Sequence, residues 1–257
     1  MTYNVHSYPY MTLSFGNARV HLKMAIGSHS VGRSPHPSLL PSEIQSQGFY
    51  FHVGRGDFIR MTLAQLGLEF DEVTVGFDEP KSKLEAFPCG QCPRYVDEDV
   101  DMVQSNAIIR HLGRKHGLTG STLKEQAHVD MILDTVEALK PKYIPLIYFG
   151  QLNDETKAEY ISTRLDPTTA AGSNGGAHFA FVDAMVKKMA GDGPFVLGSK
   201  LTVADIAVFD VMESQIHGMG LGEEFKAKYP ALMAHHAAVA ALPNIAAFLS
   251  SQNRPGK

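Results

Sequence analysis

Two polar residues, Gln104 and Ser105, separate two hydrophobic patterns in this chain. Residues 100–103 have the composition of a short strand, and the apolar residues Ile108 and Leu112 are spaced as on one face of a helix. Ser105 is therefore predicted to be the N-cap of that helix. Because the free N–H groups of a helix N-terminus attract anions, this junction is a candidate anion site. The simpler alternative is a serine that caps a helix and binds nothing.

A second candidate region contains a tyrosine at the end of a predicted strand. Residues 49–53 predict a strand that contains Tyr50, and Gly54-Arg55-Gly56 predicts the turn that follows it. Asp57 can cap the next helix, and residues 70–75 predict another strand. A strand, a helix and a strand within about 30 residues form a βαβ unit, whose two strands are parallel.

A hairpin is predicted between this unit and the polar junction. After a polar loop at residues 76–91, Pro93 starts a strand at residues 94–97, and a tight turn leads into residues 100–103. These two strands must be antiparallel, because the connection is too short for a crossover. The order β-α-β, loop, β-β-α is that of a thioredoxin-like α/β domain.

The patterns after residue 120 are helical, so an all-α domain is predicted to follow the α/β domain. Pro141 and Pro145 are predicted to kink or break its first helix, and Pro243 is predicted to end its last. Thr202-Val203-Ala204-Asp205 is a capping box, with Asp205 in the acidic position. The predicted helices cover residues 128–148, 154–164, 178–190, a segment from 202 and residues 225–242, with a loop at 166–176.

The composition limits the class of protein and of partner. The chain has 257 residues, 44% of them hydrophobic, which is enough for a packed core in one large or two small domains. A net charge of −4 with no basic run argues against nucleic acid as a partner. No apolar run reaches the roughly 18 residues of a membrane-spanning helix, so no membrane partner is expected. Two cysteines fit a reducing compartment such as the cytoplasm.

Residues 1–46 differ from the rest of the chain. No Asp or Glu precedes Glu43, and serine, histidine and proline are frequent. This composition predicts an extension that is either disordered or an organelle transit segment. The predicted bounds are an extension at 1–46, a thioredoxin-like domain at 47–120 and an all-helical domain at 121–257.

Three segments, residues 50–60, 90–114 and 129–148, carry a resemblance to one family, and the Thr202 capping box fits the same family. From these motifs the chain resembles the cytosolic glutathione transferases over residues 47–250. It is most similar to the pi class, with the sigma and mu classes as outgroups. The resemblance implies a homodimer in the cytoplasm that uses glutathione as co-substrate, with no other cofactor and no metal.

The reaction that the resemblance implies is attack of the glutathione sulfur on a hydrophobic electrophile. A free thiol has a pKa of about 8.5, and lowering it by about two units requires about 2.7 kcal/mol of preferential thiolate stabilisation. The resemblance assigns this role to the phenol of Tyr50, for which strand packing is the alternative. A glutathione-dependent isomerase or peroxidase, or a non-catalytic protein that binds ligands or partners, is the alternative function.

The same resemblance assigns the residues that hold glutathione. Pro93 matches a cis-proline, and Cys92 before it would pair through its backbone with the cysteine of glutathione. Gln91 is a further contact. Gln104 and Ser105 would hold the γ-glutamyl end, whose carboxylate lies at the helix N-terminus.

Two more side chains are assigned by resemblance, one on each side of the sulfur. Arg55 is expected beside the glutathione site, in a turn one residue shorter than usual. Tyr148 is expected to line the electrophile pocket, and packing on its own helix face is the alternative.

The chain departs from the pi-class pattern at the glycine end of glutathione. It has no tryptophan, so Phe77 together with Lys81 or Lys83 is the remaining candidate for that contact. The acidic residue that reaches the neighbouring subunit's ligand falls on Ala138, and Glu137 beside it points about 100° away on a helix. We therefore predict weaker glutathione binding than in a typical pi-class enzyme.

A CxxC motif, Cys89-Gly90-Gln91-Cys92, falls in the loop where the family often has an aromatic residue used in dimerisation. Phe87 is the nearest ring to that position. Zinc would need two further ligands, which no paired cysteine supplies. Chance placement and a redox-sensitive loop are the two interpretations of the motif.

Overall fold

The computed structural model describes residues 20–26, 54–76, 78–173 and 176–251. Its α/β part contains β1 (Val20–Ile26), α1 (Asp57–Gln65), β2 (Phe70–Gly76), α2 (Glu79–Ser82), β3 (Arg94–Val96), β4 (Asp101–Val103) and α3 (Ser105–Lys115). Its helical part contains α4 (Leu123–Tyr148), α5 (Asp154–Tyr160), α6 (Phe179–Ala190), α7 (Val203–Ile216), α8 (Gly222–Lys228), α9 (Pro230–Ala240) and α10 (Pro243–Ser250). The predicted fold class, an α/β domain followed by an all-α domain, is confirmed.

The sheet has the strand order β2-β1-β3-β4. β1 runs parallel to β2 and antiparallel to β3, and β3 and β4 form the predicted antiparallel hairpin. The helix α1 connects to the parallel strand β2, as expected of a crossover connection. As a result, β1, β2 and β4 end, and β3 begins, at the same end of the sheet.

The central strand was not expected from the sequence. β1, Val20–Ile26, pairs with both neighbours in the sheet, whereas the predicted strand at residues 49–53 lies outside the described residues. Val20, Leu22, Met24 and Ile26 stand at alternate positions, which is the period of a strand. The structure thus adds a strand to the stretch predicted to be an extension, and the domain bounds stay a prediction.

The helix α4 contains two prolines and is continuous, so the prediction that they break the helix was wrong, while a kink stays a prediction. It spans 26 residues, Leu123–Tyr148, and includes both Pro141 and Pro145. Its apolar face is fully buried, and this packing holds the backbone helical where local propensity would break it; the buried residues include Val129, Ile132, Leu133, Val136 and Leu139.

The segment predicted as the last helix or pair, residues 225–242, forms α8 and α9, and a further helix, α10, follows it. Pro230 and Pro243 stand in the first turn of α9 and α10, where proline is favoured, so Pro243 begins a helix and the prediction that it ends the last one was wrong.

Within the described residues no single helix could span a membrane by length and composition, and the bent pair α9 and α10 passes that test only together.

The helix α7 is buried along most of its length and starts at a confirmed capping box. The backbone N and Oγ1 of Thr202 donate to Asp205 Oδ2 at 2.7 and 2.8 Å. Asp205 Oδ1 accepts from Val196 N at 2.6 Å and lies 2.9 Å from His235 Nε2. Because the carboxylate is satisfied by these partners, it can stay buried and fix the start of α7.

The helix α3 packs closely on the start of α7 through a glycine. A Cβ atom at Gly113 would lie 2.8 Å from Thr119 Cγ2 and 3.1 Å from the Val203 methyl groups. Val203 N also donates to the carbonyl oxygen of Leu118 at 2.9 Å. Glycine permits this approach, and it holds α3 in a fixed position against the helical domain.

Removal of residues 1–46 is expected to prevent folding, because it deletes the strand that bonds to both β2 and β3. Circular dichroism and urea unfolding measure the outcome. A shorter truncation of residues 1–18, which keeps β1, is the control and should unfold cooperatively. Cooperative unfolding of the longer truncation would show that another segment, for which residues 49–53 are predicted, fills the centre of the sheet.

The histidine at the N-cap of α6, His178, is expected to make the free energy of unfolding depend on pH. His178 is fully buried, its Nδ1 accepts from Ala180 N at 3.0 Å, and its Nε2 lies 3.3 Å from Thr169 Oγ1. Burial, together with the nearby Arg164, lowers the pKa of His178. The unfolded chain therefore binds a proton more readily than the folded protein, so stability should fall as the pH drops below about 6.5.

Urea unfolding between pH 7.5 and 5.5 checks this effect. His178→Asn keeps a side chain that can cap the helix and removes the titrating group, so the fall in stability between these pH values should become smaller. His128→Asn, on α4, is the matched control and should keep the wild-type pH dependence. An unchanged dependence in His178→Asn would contradict the assignment.

Candidate functional site

The register of the hairpin brings two predicted binding segments together. Arg94 pairs with Val103, so Pro93 and Gln104 are neighbours at the open end of the hairpin, where β3 begins and β4 ends. The Cys92–Pro93 peptide bond is cis, as predicted. The segments predicted to hold the backbone and the γ-glutamyl end of glutathione therefore lie side by side.

Gln104 has a strained backbone at the start of α3. Its φ of 75° and ψ of 105° lie outside the regions that non-glycine residues prefer, and no other non-glycine residue in the described chain has a positive φ. Such strain, about 1–3 kcal/mol, is typical of functional sites. The residue that precedes the helix is thus held in a specific orientation.

Ser105 is the first helical residue, so the prediction that it is the N-cap was wrong by one position. Gln104 is the N-cap, because β4 ends at Val103 and the chain turns sharply at the next residue. No side chain caps α3, and Ser105 is only 4% exposed. The first N–H groups of the helix therefore have no capping side chain, which suits a ligand carboxylate.

The carboxylate of Glu137 connects three parts of the protein. Arg55 Nη1, in the turn before α1, lies 2.5 Å from Glu137 Oε1. Asn106 Nδ2, in the first turn of α3, lies 3.3 Å from Glu137 Oε2. Because Glu137 belongs to α4, one side chain of the helical domain brings Arg55 to the N-terminus of α3.

A buried lysine lies beside this carboxylate. Lys140 Nζ is 3.7 Å from Glu137 Oε2 and 4.0 Å from the centroid of the Phe58 ring, which is a cation–π distance. Burial lowers the pKa of Lys140, while Asp210 and Glu137 oppose that shift. The ammonium group is thus held between carboxylates and an aromatic face.

A small crevice, with a cavity volume of about 10 Å³, opens at the junction of the two domains. It lies against the turn that contains Arg55 and against α4 and α7. Its lining is formed by Gly54, Arg55, Lys140, Tyr143, Ile144, Asp210 and Ser214. Tyr148 is the last residue of α4, one helical turn after Ile144, and its role in the electrophile pocket stays a prediction.

The remaining predicted residues are placed as follows. Tyr50 lies outside the described residues, as does Phe77. Gln91 is exposed beside Cys92. Lys81 and Lys83 lie on or just after α2, and their Nζ atoms are 3.9 Å from Asp78 Oδ1 and 3.0 Å from Glu79 Oε1.

The CxxC loop contains no disulfide between its two cysteines. Cys89 is exposed, whereas Cys92 is half-buried against a small cluster of Val75, Phe87 and Val103. This packing gives Cys92 a structural role. Phe87 is only 1% exposed, so its ring faces its own subunit.

Three charged residues of this site were not predicted from the sequence. The sequence places Glu137 beside Ala138 and gives it no role in the site, and it indicates no role for Lys140 or Asp210. The spacing of Glu137 and Lys140 is a signal that was available, since residues i and i+3 share a helix face. Arg55, the partner of Glu137, could not be identified in the same way, because it lies 82 residues away in the sequence.

Comparison with known proteins identifies the class to which this fold and site belong. The family model for the N-terminal domain of glutathione S-transferases matches residues 46–114, and that for the C-terminal domain matches residues 173–252. The chain belongs to the glutathione S-transferase family. The N-terminal match includes Tyr50 and the predicted strand at 49–53, and β1 lies outside it.

Two similar proteins and one similar solved structure carry the name of the P or pi type of glutathione S-transferase. Glutathione S-transferase P 1 of Xenopus laevis is 33% identical over 211 residues, which cover 80% of this chain and 92% of that protein. Glutathione S-transferase P of Homo sapiens is 33% identical over 208 residues, covering 79% and 90%. The solved pi-class glutathione S-transferase of Onchocerca volvulus has 27% identity and a TM-score of 0.65, and covers 77% of this chain and 88% of its own.

Replacing Glu137 should destabilise the protein by about 2–3 kcal/mol, because Lys140 then loses a carboxylate partner while it remains buried. Glu137→Gln keeps the shape of the side chain and removes its charge. The double variant with Lys140→Met should recover much of the loss, since the buried charge is gone. Urea unfolding at pH 7.5 gives all three free energies of unfolding.

Asp134→Asn is the matched control on the same helix. Asp134 Oδ1 lies 2.5 Å from Arg110 Nη2, but its side chain is 74% exposed, so the expected loss is below about 1 kcal/mol. If Glu137→Gln cost no more than Asp134→Asn, the buried ion pair would not be a significant source of stability.

Proposed function

We propose that this protein conjugates the thiolate of glutathione to hydrophobic electrophiles at the junction of its two domains. The observation that carries the proposal is the Glu137 carboxylate, which joins Arg55 to the first turn of α3. The Glu137 carboxylate thus brings a cation to an uncapped helix N-terminus, and the hairpin register places the cis-proline segment beside the same N-terminus. These are the groups that a tripeptide with two carboxylates and a thiol requires.

The glutathione backbone binds along the end of the β3–β4 hairpin. The γ-glutamyl carboxylate accepts hydrogen bonds from the N–H groups of α3, and Gln104 and Ser105 supply side-chain contacts. The backbone N–H and C=O of Cys92, which precedes the cis-proline Pro93, pair with the cysteine of glutathione. Gln91 lies at the rim of this segment. The glycine end lacks a tryptophan contact, so binding is weaker than in a typical pi-class enzyme.

Catalysis requires the thiol of glutathione to lose its proton near neutral pH. Tyr50 donates a hydrogen bond from its phenol to the sulfur and stabilises the thiolate. Arg55, whose guanidinium is oriented by Glu137, adds positive charge beside it. Hydrogen bonds to a charged group contribute about 1.5–3 kcal/mol each, which is enough to lower the thiol pKa by about two units. The thiolate then attacks the electrophile and forms a carbon–sulfur bond. In a substitution the leaving group departs with its bonding electrons, and in an addition the product takes up a proton.

The electrophile binds over the crevice, against α4 and α7. Ile144, which lines the crevice, offers it an apolar contact, and Tyr148 is one helical turn further along α4. We also propose a homodimer in the cytoplasm. Because Phe87 is buried in its own subunit, the dimer forms without the aromatic contact that the family often uses at this loop.

Conjugation of glutathione to chlorodinitrobenzene by the purified protein tests the proposal. Tyr50→Phe should lower kcat/KM by about 30- to 100-fold, corresponding to about 2–2.7 kcal/mol of thiolate stabilisation. Ser105→Ala should raise the KM for glutathione more than it lowers kcat. Tyr160→Phe is the control and should keep wild-type activity, since that hydroxyl is buried on α5 and has no hydrogen-bond partner in the part of the chain that the structure describes.

Each other outcome has a definite meaning. Unchanged turnover in Tyr50→Phe would assign thiolate stabilisation to another group, first of all Arg55. Glutathione binding without turnover would favour an isomerase or a peroxidase. Absence of both binding and turnover would favour a non-catalytic binding protein.

A further inference from the structure

A buried lysine with no assigned part in the reaction lies next to the ion pair of Arg55. Arg55 Nη1 is 2.5 Å from Glu137 Oε1, and Lys140 Nζ is 3.7 Å from Oε2 of the same carboxylate. The two cations therefore approach different oxygens of one side chain. Glu137 and Lys140 are three residues apart on α4, so both face the junction of the two domains.

Lys140 is buried too deeply to act on the substrates directly. The residue is 2% exposed, and its ammonium group lies 4.0 Å from the centroid of the ring of Phe58, which is also buried. The crevice beside it has a cavity volume of about 10 Å³, which is room for about one water molecule. Any influence of Lys140 on the reaction must therefore pass through the groups that it holds.

Within the described residues, the charges that face Lys140 come from three parts of the protein. Glu137 lies on its own helix, Asp210 lies on α7, and Arg55 lies in the turn before α1. Burial lowers the pKa of Lys140, and Asp210 makes the largest single contribution against that fall, followed by Glu137. The two carboxylates thus support the ammonium form, although Arg55 disfavours it.

The balance of these charges bears on any thiolate that forms beside Arg55. The group contains two positive and two negative side chains, which are Arg55, Lys140, Glu137 and Asp210. Without Lys140 the same group would carry one net negative charge. Because a nearby negative charge disfavours ionisation of a thiol, the loss of this lysine would raise the pKa of a thiol bound there.

We propose that Lys140 is a positioning residue for the conjugation reaction: it balances the charge of Glu137 and so lets Arg55 stabilise the glutathione thiolate. This inference rests on the proposed function, in which Arg55 lies beside the sulfur. Glu137 orients the guanidinium group, and Lys140 offsets the repulsion between that carboxylate and a second anion. The helical domain thereby contributes to thiolate formation without touching the ligand.

Titration of the bound thiol tests this role. The ultraviolet absorbance of the thiolate is followed against pH in the complex of the protein with glutathione, and kcat with chlorodinitrobenzene is measured over the same range. Lys140→Met should raise the pKa of the bound thiol by about 0.5–1 unit, so kcat at pH 6 should fall about 3- to 8-fold. At pH 9, above the pKa of the bound thiol in both proteins, their kcat values should be similar.

Three further variants separate this effect from a loss of structure. Lys140→Arg keeps the positive charge and should keep the wild-type pKa of the bound thiol. Lys142→Met makes the same change as Lys140→Met at an exposed position of α4 and should also keep it. Combining Lys140→Met with Glu137→Gln removes the unbalanced carboxylate, so the pKa of the bound thiol should return toward the wild-type value. Circular dichroism verifies that each variant is folded.

If Lys140→Met does not fold alone, the double variant is compared with Glu137→Gln instead. That pair also differs by the loss of one cation, so the pKa of the bound thiol should again be higher in the protein that lacks Lys140.

The outcomes distinguish this inference from the function on which it rests. An unchanged pKa of the bound thiol in folded Lys140→Met, with normal turnover by the wild type, would overturn the inference and leave the proposed function intact. A kcat lowered by the same factor at pH 6 and pH 9 would also overturn it, because a structural defect does not depend on ionisation of the thiol. If the wild type bound no glutathione, the proposed function would fail and this inference with it.

Discussion

The ion pairs at the junction of the two domains are the interaction on which the site depends. A buried ammonium or guanidinium group is stable only beside carboxylates, because it loses its hydration. Lys140 meets this requirement with Glu137, and Arg60, 2% exposed, meets it through Glu72 at 2.5 and 2.8 Å. Asp210 opposes the fall that burial causes in the pKa of Lys140 and contributes to the raised pKa of Arg60, so this carboxylate of α7 interacts with a cation of each domain. The domains are therefore held in one arrangement by charge as well as by apolar packing.

This arrangement also explains why the binding site can include a strained residue. The unfavourable backbone of Gln104 persists because its neighbours are fixed on both sides. The hairpin register holds Val103 before it, and the close contact of Gly113 with Val203 holds α3 after it. The orientation of the helix N-terminus is thus set before any ligand arrives, which lowers the entropy lost on binding.

Local features of this fold could be predicted from the sequence, whereas long-range pairings could not. The β3–β4 hairpin, the Thr202 capping box and the end of α3 at Gly117, whose φ is 73°, depend on adjacent residues. The pairing of β1 depends on residues about 50 positions away, such as Phe70 opposite Val20, and short alternating segments do not reveal their partners. For the same reason, the resemblance located Arg55 and no local pattern identified Glu137 as its partner.

The position of Glu137 also bears on how this chain differs from its relatives. The acidic side chain one position later, which is expected to reach across to a second subunit, is replaced by Ala138. A helix turns about 100° per residue, so Glu137 is directed instead to Arg55 and Asn106 of its own subunit. The negative charge on this part of α4 therefore serves to orient groups within one subunit. A site built in this way takes this charge from the contact between its own two domains.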